Sequence, residues 1–182
     1  MAIAVMTVGA VAIFAMQTAA IRSNTESHQR ALAVELSQVW VERLHRDALR
    51  WTRGGPSVAL SPSTLANTTY LRTVPSPGTG LGGWLVPVPA AASGESATFD
   101  WFGRDTTVGS AMVYCTNIRL QWVYPAQAMR ADVRVWYPRS SSSAVTADLA
   151  GCSGAPASIT GRTRDVHFVY ASTVLRWTPV GT

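Results

Sequence analysis

The chain has few of the residues on which catalysis and metal binding usually depend. Its 182 residues include ten carboxylates, three histidines and two cysteines, and all fifteen basic residues are arginine because lysine is absent. We attribute the missing lysine to codon usage in a GC-rich genome rather than to chemistry. The histidines are His28, His45 and His167, and this spacing is not typical of a zinc site.

Sequence signatures of the common catalytic classes are also missing. We find no GxSxG, no HExxH, no Cys–His signature and no cluster of carboxylates. No helical pattern follows the glycines at 78–83, which argues against a dinucleotide-binding loop. His167 near Asp165 is interpreted as part of a strand rather than as a general base. We therefore predict no catalytic residue, no metal, no cofactor and no enzymatic activity.

Charge and proline are absent from residues 1–21. A helix of this length spans about 32 Å at about 1.5 Å per residue, which suffices to cross a hydrocarbon core of about 30 Å. The segment is thus predicted to be a membrane anchor. A cleavable signal peptide is the alternative, but the segment has no basic front end and its apolar run is longer than the usual central region.

The helical pattern continues beyond the apolar segment. No proline precedes Gly54-Gly55-Pro56, so the sequence predicts one helix over residues 1–53 that is amphipathic over 22–53. Arg43 and Asp47 intrude on its apolar side and are expected to pair with each other. The apolar side carries Leu32, Ala33, Leu36, Val39, Trp40, Leu44, Ala48 and Trp51, and the polar side carries Glu35, Gln38, Glu42, His45 and Arg46.

Residues 54–105 are rich in turn-forming residues and are predicted to be a connecting loop. Short strands could interrupt it at 70–74 and 84–88. The sequence Ser140–Ser143 opens a second loop, which is predicted to continue to residue 161.

From residue 106 the hydrophobic period changes to two. Residues 117–124 and 130–137 predict a hairpin with one dry and one wetter face. Further strands are expected at 108–115 and 166–177. The predicted fold class is therefore α+β: a long N-terminal helix packed on an antiparallel sheet of three to five strands, with a β-rich head domain over 54–182.

The two cysteines, Cys115 and Cys152, are separated by 37 residues. A disulfide between them would stabilise the fold by about 4 kcal/mol in the chain-entropy estimate. It would hold the 140–161 loop to the sheet. The alternative is a pair of free thiols.

The first 53 residues resemble the N-terminal helix of type IV pilins. The nearest likeness is to PilV-like minor pilins, which show an apolar segment with a glycine, then runs such as AMQTAAIRSNTE and LSQVWVERL. The later runs MRADVRVWYPR and VHFVYASTVLRW are also similar to that group. The family's basic leader and N-terminal glutamate motif do not occur in this chain, so we expect the reading frame to extend upstream of Met1.

The resemblance implies a minor pilin that primes pilus assembly and sits in the tip complex. It implies an inner-membrane protein with a periplasmic head that later joins an extracellular pilus, with inner-membrane lipid, other minor pilins, the major pilin and a tip adhesin as partners. A pseudopilin of a type II secretion system and a stand-alone anchored binding domain are the alternatives. The segment predicted to enter lipid and then the filament core includes Ala2, Ala4, Val5, Gly9, Ala10, Ile13 and Phe14.

Arg43, Arg46, Arg50 and Arg53 recur at helical spacing and predict one basic stripe. The stripe could be a solvated helix flank, a contact with a neighbouring subunit or, least favoured, a DNA-binding ridge. DNA is an unlikely partner because most of the arginines are dispersed along the chain. A sugar-binding role is also disfavoured, because the seven tryptophans are spread over every predicted element.

Overall fold

The computed structural model describes residues 2–53, 64–90, 92–139, 152, 159 and 162–178. The side chains of residues 2–8 and of Arg53 lie outside this description. The chain divides into two compact units, Met1–Leu32 and Ala33–Thr182.

One helix, α1, runs over Ala2–Arg53, as the sequence predicts. Within the second unit its predicted apolar side is buried, from Ala33 through Leu36, Trp40 and Leu44 to Trp51. Its predicted polar side is exposed, with Glu35, Gln38, Glu42, His45 and Arg46 facing solvent. The amphipathic pattern therefore reports correctly which side of α1 is covered.

Four antiparallel strands form one sheet in the order β1-β2-β3-β4. They are β1 (Thr98–Phe99), β2 (Tyr114–Tyr124), β3 (Ala128–Pro138) and β4 (Val166–Arg176). The β2–β3 hairpin and the last strand confirm the predictions made from the period of two. The mixed helix-and-sheet class is confirmed as well.

Three predicted strands do not form as expected. Residues 70–74 contain a 3-10 helix, Leu71–Thr73, and residues 84–88 contribute a single bridge between Leu85 and Ile118. A second 3-10 helix, Gly109–Ala111, occupies much of 108–115, and β2 begins only at Tyr114. The short β1 lies within the segment predicted to be a loop and was not predicted.

One face of the sheet covers α1 from Ala33 onward, and the other face points away from this part of the helix; we call the second face the outer face. Trp51 of α1 packs edge-on against Trp122 of β2 at 5.8 Å between ring centroids. Ile118, Leu120 and Val133 are buried on the same side. Packing of apolar side chains from both elements thus forms the core that the two amphipathic patterns require.

The prediction of a wetter face on β3 is wrong for most of the strand. Arg130 is exposed, but Asp132, Arg134 and Trp136 are buried. Trp136 packs in a buried cluster with Cys152 and Ile159, and hydrogen bonds from Arg119 and Ser172 cover the carboxylate of Asp132. The ring of Trp84, from the connecting segment, covers the guanidinium of Arg134 at 4.5 Å.

A disulfide joins Cys115 of β2 to Cys152. Both residues are buried in a cluster with Trp136, Ile159 and Val166. The predicted loop over 140–161 lies mostly outside the described residues, but Cys152 and Ile159 bring it to the core at two points. The bond therefore fastens this segment to β2, as predicted.

Removal of this disulfide is expected to lower the free energy of unfolding by about 4 kcal/mol, because it releases a loop of 37 residues in the unfolded chain. The test is urea unfolding of the full chain in a non-ionic detergent, comparing the protein with a Cys115→Ser, Cys152→Ser variant. Reductant should lower the midpoint of the unmodified protein and leave that of the variant unchanged. Equal midpoints for the unmodified protein and the variant in the absence of reductant would contradict a structural role for the disulfide.

Candidate functional site

The first candidate site is the apolar part of α1 in the unit Met1–Leu32. Its large apolar side chains face outward all round the helix, with Phe14 and Met16 exposed by 67% and 73%. Val11, Ile13 and Ile21 are also exposed. Isolated exposed apolar residues are ordinary, but a continuous apolar surface of this kind indicates an interaction site.

The polar side chains that follow this surface are partly satisfied by the helix itself. Thr18 Oγ1 donates to the carbonyl of Phe14 at 2.8 Å, and Thr25 and Ser27 make equivalent bonds to the carbonyls four residues before them. A hydroxyl that is already hydrogen-bonded costs less to move out of water. These three residues are thus compatible with an apolar environment.

The structure shows part of the predicted anchor set. Gly9, Ala10, Ile13 and Phe14 are exposed, and a methyl group added at Gly9 would meet nothing within 4 Å. The side chains of Ala2, Ala4 and Val5 lie outside the described residues. Within the part of the chain that was described and searched, no helix is both long enough and apolar enough to span a membrane.

The second candidate site is a buried polar cluster where α1 meets the segments on either side of β1. Arg43 is 6% exposed, and its Nη2 donates to Asp105 Oδ2 at 2.6 Å. Its Nη1 donates to the carbonyl of Ser96 at 3.1 Å. The guanidinium also lies 4.9 Å from the ring of Trp40 and 5.5 Å from that of Phe99.

This geometry corrects two predictions about Arg43. It does not pair with Asp47, because its guanidinium reaches Asp105 and approaches Glu95 at 3.6 Å. It also does not share an exposed stripe with Arg46 and Arg50, because it is buried inside the head. Its burial leaves only a small part of the side chain at the surface. Its role is to fasten α1 to the sheet.

Glu95 connects the buried part of the cluster to the surface. One oxygen, Oε1, accepts a hydrogen bond from exposed Arg46 at 3.0 Å, and Oε2 accepts one from the hydroxyl of Tyr70 at 2.7 Å. Burial, reinforced by the hydrogen bond to Glu95, raises the pKa of Tyr70 well above its usual range. The hydroxyl is therefore a fixed donor at every physiological pH.

Asp47 has a different role from the one predicted. Its carboxylate accepts hydrogen bonds from the backbone N–H groups of Thr69, Tyr70 and Leu71 at 2.8, 2.7 and 3.1 Å. It thereby caps the 3-10 helix Leu71–Thr73 from a position on α1. The sequence did indicate that Arg43 and Asp47 are unusual, because both lie on the apolar side of the amphipathic helix. It could not identify the groups that they bind.

Two members of the predicted basic stripe remain accessible. The side chains of Arg46 and Arg50 are largely exposed, although Arg46 binds Glu95 and Arg50 Nη1 donates to Thr69 Oγ1 at 3.2 Å. The side chain of Arg53 lies outside the described residues. Among the described side chains the stripe is thus reduced to Arg46 and Arg50, and for these two and for Arg53 a subunit contact stays a prediction.

The outer face of the sheet holds a third group of charged residues, centred on Asp132. Its carboxylate accepts hydrogen bonds from Arg119, Arg130 and Ser172 at 2.8, 2.7 and 2.6 Å. Burial acts to raise the pKa of Asp132, but the bonds from Ser172, Arg119 and Arg130 outweigh it and hold the pKa below its usual value.

Arg134 lies beside this group and is fully buried. Its Nη2 donates to Asn117 Oδ1 at 2.8 Å, and its guanidinium lies over the ring of Trp84 at 4.5 Å and over that of Phe168 at 5.2 Å. Such stacking suits the weakly hydrated, planar guanidinium. Because these contacts bridge β2, β3, β4 and the connecting segment, they order this part of the outer face.

Comparisons with protein-family models, with curated proteins and with solved structures find no match to this chain. Among the described residues that were searched, no three metal-binding side chains come together. The three candidate sites above therefore carry the functional interpretation.

Replacing Asp47 with asparagine is expected to lower the free energy of unfolding by roughly 1–3 kcal/mol, because one oxygen cannot serve all three backbone donors. Urea unfolding of the full chain in non-ionic detergent measures the effect. Glu42→Gln is the matched control, since it removes the same charge from an exposed position on α1. Equal losses in the two variants would contradict a specific capping role.

Acid should weaken the outer-face group centred on Asp132. Because its folded-state pKa lies below the unfolded value, its contribution to stability is present above that unfolded value, about 3.9, and is lost as the pH falls through the folded pKa. An Asp132→Asn variant is therefore expected to be less stable at pH 7 and to lose less stability on acidification. Urea midpoints at several pH values test this, with exposed Glu35→Gln as the control; parallel curves for Asp132→Asn and the unmodified protein would contradict it.

Proposed function

We propose that the chain is a minor pilin of a type IV pilus, a structural subunit that takes part in pilus assembly at the tip. The observation that carries the proposal is the composition of α1. One continuous helix is apolar on all sides over its first part and, from Ala33, is buried on one side against an antiparallel sheet. This is the organisation that the resemblance to PilV-like minor pilins implies.

The apolar surface supports a subunit that uses two environments in succession. Residues 1–21 would first lie in the inner membrane and later among the helices of a fibre core. Both surroundings are apolar, so the transfer costs little hydrophobic free energy, and small side chains such as Gly9 and Ala10 allow close approach between helices. Thr18 already has its hydroxyl bonded within the helix, which lowers the cost in either environment.

The head supports the same proposal through its attachment to α1. Arg43 and Asp47 bind the segments on either side of β1 from the helix side, so polar contacts as well as apolar packing hold the head to this part of α1. The buried disulfide is consistent with folding in an oxidising compartment such as the periplasm. Other minor pilins, the major pilin and a tip adhesin are the proposed partners.

The experiment compares cell fractions from the bacterium that makes the protein. We expect the unmodified chain in the inner-membrane fraction and in filaments sheared from the surface. Phe14→Glu places a charge in the apolar surface and should reduce both signals by about tenfold or more, because a carboxylate is costly at that depth. Val88→Glu is the control, since Val88 is an exposed apolar residue of the head.

Three outcomes would contradict the assignment. A Phe14→Glu protein that fractionates like the unmodified chain would show that the apolar surface is not used. If deletion of the gene leaves surface filaments intact but blocks the export of hydrolases, the chain would be assigned as a pseudopilin and not as a minor pilin. A chain that is retained in the membrane but never recovered with filament subunits would indicate a stand-alone anchored domain.

A further inference from the structure

Strand register gathers exposed arginines on the outer face of the sheet. Residues paired across antiparallel strands share a face, and Arg119 pairs with Asp132 while Arg176 pairs with Ala128. Arg130 lies on the same strand as both partners and is two residues from each. The three arginines are therefore successive diagonal neighbours across β2, β3 and β4, about 7–8 Å apart at the backbone.

This surface has a surplus of positive charge. Among the described strand residues on the outer face, Asp132 is the one carboxylate. It is buried, and it accepts hydrogen bonds from Arg119 and Arg130. Arg130 and Arg176 are exposed and Arg119 is partly exposed. A polyanion would thus meet the arginines before it met the carboxylate.

Exposed aromatic rings flank this arginine diagonal, one on each side of it. Tyr124 and Tyr170 are exposed by 66% and 59%. A bulge between Trp122 and Tyr124 pairs Tyr124 with Ala128, which places it on the outer face. Tyr170 pairs with Arg134, and its ring lies 6.0 Å from that of Trp84. The partners of the two tyrosines on β3 are six residues apart, so the rings are separated by roughly 20 Å along the sheet.

We propose that the outer face binds single-stranded nucleic acid without sequence preference. The arginines would contact successive phosphates, and Tyr124 and Tyr170 would each stack an unpaired base. A cationic sheet surface with separate aromatic platforms is the arrangement that single-strand binding requires. In a duplex the bases are already stacked on one another. Its phosphates could contact the arginines, but its bases could not stack on the tyrosines.

Fluorescence anisotropy of the full chain in a non-ionic detergent tests the proposal. The probe is a labelled oligothymidylate of about 12 nucleotides, which lies within the range of known site sizes. We expect saturable binding at low salt that exceeds binding to a duplex of the same length. Arg130→Ala with Arg176→Ala should weaken binding and reduce the salt slope by about 0.7 for each arginine removed.

The tyrosines provide the test that separates stacking from simple attraction between charges. Tyr124→Ala should weaken binding by about fivefold or more, whereas Tyr124→Phe should retain it because the ring is kept. Arg46→Ala removes the same charge from α1, on the opposite side of the sheet, and should leave the affinity unchanged. Circular dichroism and unfolding midpoints confirm that each variant is folded.

Three results would overturn the proposal. They are no saturable binding at low salt, equal affinity of all variants, and an affinity for heparin or duplex that matches the single strand and is insensitive to Tyr124→Ala. The last would identify a general polyanion surface. The measurement uses purified protein and residues of the unit Ala33–Thr182, so it can fail while the pilin assignment stands, and the reverse also holds.

Discussion

The burial of Arg43 and Asp47 in the head is the constraint on which the rest of the structure depends. A buried charge must be paired and hydrogen-bonded, or it destabilises the fold by several kcal/mol. The two Nη atoms of Arg43 meet this requirement through Asp105 and Ser96, and Asp47 meets it through three backbone N–H groups. The connecting segment must therefore lie against α1 in one register, and it delivers β1 to the edge of β2.

Hydrophobic period was sufficient to predict the long elements, but it predicted neither the short ones nor the polar contacts. It located α1, the β2–β3 hairpin and β4, because each has one side that must be buried. It placed Arg43 and Asp47 four residues apart and so suggested an ion pair between them. In the structure Arg43 binds Asp105 and Asp47 binds Tyr70 instead. Both partners lie in residues 54–105, where the sequence shows no hydrophobic period from which their contacts could be predicted.

The two parts of α1 place different demands on their surroundings, and the sequence shows both. From Ala33 onward one side is apolar and the sheet covers it. Among the described side chains from Gly9 to Ile21, the apolar ones face outward in every direction, and no sheet covers one side of the helix there. A surrounding medium that is itself apolar satisfies this segment, which is why lipid and bundled helices are the environments proposed for it.

Register explains why a charged surface can be invisible in the sequence. Arg119, Arg130 and Arg176 are dispersed along the chain, and dispersion was the reason to disfavour a nucleic-acid partner. Antiparallel pairing makes them neighbours, and one bulge brings Tyr124 to the same face. Shifting any of these pairings by one residue would send an arginine to the apolar side against α1. The core that fixes the register therefore also holds the outer face in place.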